Sequence, residues 1–246
     1  MHIKIREPSI DLMVKSGIIL RECLLLAESM VKPGITTNEI NNEIHKYILD
    51  RNAVPAFLGY SGFPAACCMS INEEVVHCLP SDRPLVGGDI LTIDCGVIKD
   101  GAYTDAARTF PVGKISAGDK ELLKITREAL DRGTEKAVAG NRIGLISNTI
   151  QAVVELAGYS VSREFIGHGI GSALHMLPDI PNYGSKRTGS KLSIGEFIAI
   201  EPVVFDGGWK TTSLGEWKVV SSTGVRSAHF ENTIYISEFG PVILTE

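Results

Sequence analysis

The chain has 246 residues, enough to bury a sizeable core as one large domain or two small ones. With 44% hydrophobic and 22% charged residues, its composition is typical of a soluble globular protein. The formal net charge of −5 argues against a general nucleic-acid binder, because no basic surplus is available to neutralise phosphates.

The start of the chain has neither the pattern of a signal peptide nor that of a membrane span. Residues 1–7 lack the apolar core of a signal peptide. The apolar run from Ile18 to Ala27 contains Arg21 and Glu22, so it does not suit a bilayer. The five cysteines show no CxxC pairs of a zinc ribbon: Cys23, Cys67, Cys68, Cys78 and Cys95. We therefore expect a reduced, cytoplasmic protein without a membrane partner.

The first third of the chain is predicted to be helical. Pro8 suits a first helical turn, apolar residues follow at three- and four-residue spacing, and Pro33-Gly34 ends the run. Thr36-Thr37-Asn38-Glu39 has the pattern of a capping box, which predicts a second helix through about Leu49.

Strands and helices then alternate in blocks. The spacing of apolar residues predicts helices over about 116–139 and 143–157. The predicted strands are Ile90–Ile93, Ala102–Phe110, Ile194–Ile200, Trp217–Ser221 and His229–Ile236, with Lys99-Asp100-Gly101 as the turn between the first two. Helices followed by strands, twice over, predict an α+β fold with a mostly antiparallel sheet.

The second half of the chain repeats the first. Four pairs of segments match in the same order: Gly34–Ile44 with Gly140–Ile150, His77–Pro80 with His175–Pro178, Gly88–Asp94 with Gly195–Glu201, and Ala102–Asp105 with Ala228–Glu231. We therefore predict a single domain over residues 1–246. Its two related halves, about 1–112 and 113–246, would share one sheet around a pseudo-twofold axis.

Two of the matched pairs end on a carboxylate, Asp94 with Glu201 and Asp105 with Glu231. Taken singly, each carboxylate is equally compatible with a solvent-facing place on an edge strand. The repeat instead brings all four into one cleft, where they repel strongly. Since no Lys or Arg recurs near them in both halves, two divalent metal ions are the natural counterions.

Three histidines add to this predicted centre. His168 lies in the glycine-rich segment Phe165–Gly171, whose glycines let the backbone approach a metal and leave the imidazole free to reach it. One histidine with four carboxylates is an oxygen-rich donor set that suits Co, Mn, Fe or Zn. His77 and His175 are expected to flank the metals and act on substrate; the alternative is that they fix equivalent loops.

These motifs resemble the methionine aminopeptidases, which have the pita-bread fold, over nearly the whole chain. The matching segments are Asn72–His77, Ile93-Asp94 with Asp105, Gly167–Gly171 with His175, Ile200–Pro202 and Glu231–Thr233. The modest loop between His175 and Glu201 is similar to that of the short bacterial type I form.

The resemblance implies a role for each group of residues. It implies a dinuclear metal centre held by Asp94, Asp105, His168, Glu201 and Glu231. It implies that His77 and His175 contact the substrate. It also implies an apolar methionine pocket formed by Tyr60, Phe63, Cys68 and Trp217, although a plain core role is equally compatible with each of these four.

The implied activity is removal of the N-terminal methionine from proteins and peptides, preferably when the second residue is small, by attack of a metal-bound hydroxide. Glu201 is the expected proton shuttle, His175 the donor to the carbonyl oxygen, and His77 the group beside the scissile nitrogen. The expected partners are the N-terminal segments of nascent chains and the ribosome. We expect a monomer without a specific nucleic-acid partner.

Three positions depart from the family's usual pattern. Met176 replaces an acidic residue, Ser61 stands where many members have His, and Ala106 follows Asp105 where a hydroxyl residue is usual. The last change removes one expected hydrogen bond to Asp105. The alternative functions are an X-Pro aminopeptidase or prolidase, which usually carries a further N-terminal domain, and a non-catalytic binding module, which typically lacks metal ligands.

Overall fold

The computed structural model describes residues 8–246. Within these residues the chain forms four α-helices: α1 Ile10–Met30, α2 Thr37–Asp50, α3 Ala117–Thr134 and α4 Ile143–Leu156. The interpretation that the N-terminus lacks a signal-peptide core concerns residues 1–7, which lie outside the described residues. None of the helices found in residues 8–246 combines the length and the apolar character that a membrane crossing requires.

The strands are short apart from one long hairpin. In the first half they are β1 Val54–Pro55, β2 Cys67–Ile71, β3 Ile90–Lys99 and β4 Ala102–Pro111. In the middle of the chain they are β5 Ser160–Val161, β6 Gly167–Gly169, β7 Met176–Ile180, β8 Phe197–Ile200 and β9 Val203–Phe205. The last five are β10 Thr211–Leu214, β11 Lys218–Ser221, β12 Ser227–His229, β13 Asn232–Ser237 and β14 Gly240–Ile243.

Capping residues set where the helices begin. Thr36 accepts a hydrogen bond from the Glu39 amide, which confirms the predicted capping box of α2. Helix α1 begins at Ile10 behind Ser9, so Pro8 lies outside the first turn where the sequence had placed it. Helix α3 ends at Thr134, before the predicted end near residue 139, because the chain turns there and buries Ala137 in the core.

The β3–β4 hairpin lies where the sequence predicts two paired strands, although β3 continues to Lys99, beyond its predicted end at Ile93. Its strands pair antiparallel, with Lys99 opposite Ala102, so that Asp100-Gly101 is a two-residue turn. Both turn residues have positive φ, 51° and 81°, as a type I′ turn requires. Asp-Gly suits this turn because glycine has no Cβ and aspartate tolerates the left-handed region.

The predicted strand over His229–Ile236 is wrong in one respect: it is two strands in different sheets. Strand β12 ends at His229 and pairs with β9, whereas β13 begins at Asn232 and pairs with β8 and β14. Phe230 and Glu231 form the break because their amides bond to the carbonyls of Pro202 and Ala107 instead. Glu231 therefore lies at a bend between sheets and not inside a strand.

The helices pack on the sheets in two layers, one for each half of the chain. Helices α1 and α2 cover β2–β4, with Ile40, Ile44 and Ile93 fully buried between them. Helices α3 and α4 cover β8, β9, β12 and β13, around Ile146 and Ile198. The strands of residues 8–246 form four hydrogen-bonded groups, all antiparallel, so the predicted shared sheet is interrupted. The boundary between the two halves near residue 112 stays a prediction.

Candidate metal centre

A pocket of about 390 Å³ opens where the two layers meet. This volume is within the range of small-molecule sites. Every residue that the sequence analysis assigned to metal or substrate lines it: Tyr60, Phe63, Cys68, His77, Asp94, Asp105, His168, His175, Glu201, Trp217 and Glu231. These side chains come from both halves of the chain, and the fold brings them to one place.

The β3–β4 hairpin supplies two of the carboxylates. Gly96 is paired with Asp105, so Asp94, two residues before Gly96, is the diagonal neighbour of Asp105 on the same face. The two carboxyl groups lie close enough for each to affect the pKa of the other. Asp94 also lies opposite Cys68 of β2, which places the carboxylate beside the apolar part of the pocket.

The second half supplies the other three donors. His168 lies in β6, paired with Ala199, and Glu201 directly follows the end of β8. His168 Nε2 lies 4.0 Å from Glu201 Oε1. Ligand atoms of Asp105, His168 and Glu231 all lie within 4.8 Å of one another, and all three residues are buried. The five predicted donors therefore converge on one site.

The glycines beside His168 have a packing role that the sequence analysis did not give them. A Cβ on Gly167 would lie 2.2 Å from the Ala199 carbonyl oxygen, and one on Gly169 would lie 2.3 Å from that of Leu177. The two glycines therefore allow the backbones of the neighbouring strands to lie close to β6. The Gly169 carbonyl oxygen lies 2.9 Å from His168 Nδ1, which donates to it and so leaves Nε2 as the acceptor that faces the carboxylates.

Burial raises the pKa values of the carboxyl groups in the absence of a cation. It raises the pKa of Asp94 to about 7. The pKa values of Asp105, Glu201 and Glu231 lie well above their usual range, first because of burial and then because the carboxylates repel one another. Burial, with a smaller contribution from His175, lowers the pKa of His168 to about 4, so its imidazole is neutral.

These groups fit a pair of divalent cations. Asp94 Oδ1 and Asp105 Oδ1 are buried with no hydrogen-bond partner in the described residues, which is costly unless a cation binds them. Among the described residues that line the pocket, none is Lys or Arg. The nearby Arg108 donates instead to the carbonyls of Ala107 and Glu231 and to the Asn232 side chain. Oxygen donors with neutral imidazole suit metals such as Co, Mn, Fe or Zn.

The two predicted substrate histidines lie on the pocket wall. The His175 ring centroid is 4.3 Å from that of His168, and its Nδ1 lies 2.8 Å from the Tyr60 hydroxyl. His77 packs edge-on against Phe165 at 5.8 Å between centroids. Its φ of 59° is uncommon for a residue other than glycine, and such strained positions cluster at functional sites.

The remaining predicted pocket residues form an apolar wall. Phe63 and Trp217 make an edge-to-face contact with centroids 5.2 Å apart, and Phe63 and Cys68 are almost completely buried. The Ala106 backbone amide lowers the pKa of Asp105, although this effect is smaller than the increase caused by burial. The side chain of Ala106 lacks the hydroxyl that is usual in the family.

Sequence reasoning missed His229, which also lines the pocket. This residue is only 2% exposed, and its Nε2 lies 3.8 Å from Glu201 Oε2 and 3.9 Å from Glu231 Oε2. Burial lowers its pKa to about 3, so the imidazole is neutral. The internal repeat could have indicated this residue: His229 lies in the matched segment that ends at the predicted donor Glu231, at the position of Tyr103 in the first half.

The chain is similar in sequence to known metallopeptidases. The model of metallopeptidase family M24 matches residues 11–238. A methionine aminopeptidase of Clostridium perfringens is 47% identical over 240 residues, which cover 97% of this chain and 96% of the relative. Methionine aminopeptidase 1 of Bacillus subtilis is 45% identical over 216 residues, which cover 87% of each chain.

Among solved structures, some are similar to this chain in both sequence and fold, and others in fold alone. The methionine aminopeptidase from Thermotoga maritima has a TM-score of 0.96 and 40% identity, and the match covers 99% of both chains. The prolidase from Pyrococcus furiosus has a TM-score of 0.80 at 22% identity and is matched over 66% of its length, so it shows the shared fold alone. The predicted α+β pita-bread fold is confirmed, and the prolidase alternative is not favoured. The chain therefore belongs to metallopeptidase family M24 and, within it, to the methionine aminopeptidases, which are metal-dependent hydrolases.

Proposed function

We propose that this chain removes the N-terminal methionine from proteins and peptides at a dinuclear centre held by Asp94, Asp105, His168, Glu201 and Glu231. The observation that carries the proposal is the convergence of these five donors, from both halves of the chain, beside an apolar pocket. Two divalent ions bound there would acidify water and polarise the scissile carbonyl group.

The chain's own residues would do the rest of the chemistry. Glu201 lines the pocket beside the other carboxylates and His168, and there it would take a proton from water and pass it to the leaving amine nitrogen. His175 would donate from Nε2 to the carbonyl oxygen, a role that fits its Nδ1 contact with the Tyr60 hydroxyl. His77 would lie beside the scissile nitrogen on the opposite wall.

The apolar wall would select the first residue. Phe63, Cys68 and Trp217 offer a buried surface that suits an unbranched, polarisable side chain such as methionine. A thioether beside an aromatic ring gains a favourable contact, which a charged side chain would lose on desolvation. Crowding by His77 would favour a small second residue.

We further propose that the substrates are nascent chains, met at the ribosome in the cytoplasm by a monomer. The five cysteines, all in the described part of the chain, are free and buried. This is the state expected in a reducing compartment, where nascent chains first expose their N-termini.

Methionine release from Met-Ala-Ser peptides tests the proposal. Metal-loaded protein should release methionine, and Glu201→Gln should lower kcat by about 1000-fold because it removes both the shuttle and a charged donor. Glu43→Gln, an exposed change on α2, is the matched control and should leave turnover unchanged.

Two results would contradict this assignment. One is faster cleavage of X-Pro peptides than of Met-Ala-Ser by the same protein, which would favour a prolidase. The other is unchanged turnover in Glu201→Gln with a full complement of bound metal.

A further inference from the structure

His229 is a buried imidazole for which the centre described above gives no role. Both of its ring nitrogens are buried without a hydrogen-bond partner in residues 8–246. A buried polar atom left unpaired destabilises the folded state, so such atoms are rare unless a ligand or water completes them. The ring lines the pocket and faces two carboxylates. The partner of its nitrogen atoms is therefore expected inside the candidate centre.

The backbone around His229 is fixed from two sides. The residue closes β12, where it pairs with Val203 of β9, two positions after Glu201. The Thr109 hydroxyl accepts from the His229 amide at 2.9 Å and donates to its carbonyl at 3.0 Å. With its backbone held and its side chain almost fully buried, the imidazole cannot swing out to solvent.

The distances from Nε2 suit a shared ion better than direct hydrogen bonds. Glu201 Oε2 at 3.8 Å and Glu231 Oε2 at 3.9 Å are both beyond hydrogen-bond range. Two donors on one metal ion, each at about 2.0–2.2 Å, are at most about 4.4 Å apart. The nitrogen and each carboxylate oxygen are therefore close enough to bind the same cation.

We propose that His229 Nε2 is a further nitrogen donor to the metal ion held by Glu201 and Glu231. This inference rests on the proposed metal centre and deepens it. The centre then has two imidazole donors, His168 and His229. Because imidazole favours Fe, Co and Zn over Mn, the second ring shifts metal preference away from manganese.

Proton NMR of the cobalt-loaded full-length protein tests the proposal without measuring turnover. Each imidazole bound to the paramagnetic ion gives one exchangeable N–H resonance outside the normal spectral range. Wild type should show two, and His229→Gln should show one, because glutamine retains polarity and length but has no ring N–H. The control His45→Gln, on helix α2 and outside the pocket, should show two.

A competition measurement gives a second readout. His229→Gln should weaken cobalt binding by about tenfold or more relative to manganese binding, measured by dialysis and metal analysis. A single resonance in wild type, or two that persist in His229→Gln, would overturn the role of His229. The wild-type count decides the question even if the variant does not fold. Failure of the wild type to bind cobalt at all would instead refute the metal centre.

Discussion

At the scale of single residues, the candidate centre depends on polar groups that burial leaves unsatisfied. Asp94 Oδ1 and Asp105 Oδ1 have no hydrogen-bond partner among the described residues, and the carboxyl groups around them have raised pKa values. An apolar protein interior does not tolerate four such charges. Their ionised form therefore depends on bound cations, which couples the protonation of the site to its function.

The Tyr60–His175 contact gives a prediction at this scale. Tyr60→Phe removes the hydroxyl that lies 2.8 Å from His175 Nδ1, so the imidazole loses the group that fixes its orientation. We expect kcat for Met-Ala-Ser to fall by about tenfold, with bound metal unchanged, since Tyr60 is a positioning residue.

Tyr47→Phe is the matched control for that change, because its hydroxyl bonds to Glu22 outside the pocket. It should leave kcat unchanged. An equal loss of kcat in both variants would show that a general effect of losing a phenol hydroxyl, and not the contact with His175, slows the enzyme.

At the scale of elements, strand pairing positions the predicted metal donors. The register of β3 with β4 makes Asp94 and Asp105 diagonal neighbours, and β6 holds His168 between β7 and β8. Gly167 and Gly169 make that middle position possible, since side chains there would collide with carbonyl oxygens of the adjacent strands. The Gly-His-Gly pattern is therefore a requirement of sheet packing around His168, a predicted metal donor.

Gly169→Ala tests this account of β6. The new Cβ would lie 2.3 Å from the Leu177 carbonyl oxygen, so β6 and β7 must separate and His168 must move with them. We expect a loss of stability of about 1–3 kcal/mol and weaker metal binding, measured by denaturant unfolding and metal titration. Gly208→Ala, at a glycine with open space around it, should change neither. Normal metal affinity in Gly169→Ala would show that the strand spacing does not position His168.

At the scale of the whole molecule, the fold closes two layers of helices and sheets around one acidic pocket. Each layer has its own buried cluster, and the pocket lies where residues of both halves meet. Assembly of the native structure therefore brings the four carboxyl groups together. Without metal, repulsion between these groups destabilises the folded state, by an amount that depends on pH.

The stability of the metal-free protein should fall as pH rises from about 6.5 to 8.5. In this range the unfolded carboxyl groups have already lost their protons. In the folded protein, Asp94, with a pKa of about 7, loses its proton in the lower part of the range, and the pKa values of its neighbours are raised well above their usual range. A raised folded-state pKa contributes stability that is lost as pH rises through it. The buried histidines have lowered pKa values and oppose this trend only below about pH 6.5.

Melting temperatures of EDTA-treated and metal-loaded protein measure this effect. We expect the metal-free Tm to fall by about 5 °C or more over the range, and the metal-loaded Tm to stay nearly constant. Asp94→Asn should flatten the metal-free curve, whereas Asp100→Asn, in the exposed hairpin turn, should not. A metal-free Tm that does not change with pH would contradict the protonated state of the pocket.

Local patterns in the sequence predicted the parts that depend on near neighbours. The capping box at Thr36, the β3–β4 hairpin and its Asp-Gly turn are confirmed because each is set by residues a few positions apart. The repeat also placed the carboxylates Asp94 and Glu201 at the ends of matched segments. Family resemblance then indicated eleven of the residues that line the pocket, and their roles as metal and substrate groups remain proposals.

Only the tertiary structure decided the features that join distant segments. The break at Phe230 and Glu231 arises because one stretch of chain pairs with two sheets, which alternation of apolar residues does not reveal. The place of His229 beside Glu201 follows from the pairing of β12 with β9, and the contact of Tyr60 with His175 joins different halves of the chain. Sequence fixes local conformation through propensities and turn chemistry, whereas these contacts depend on which strands pair in the folded protein.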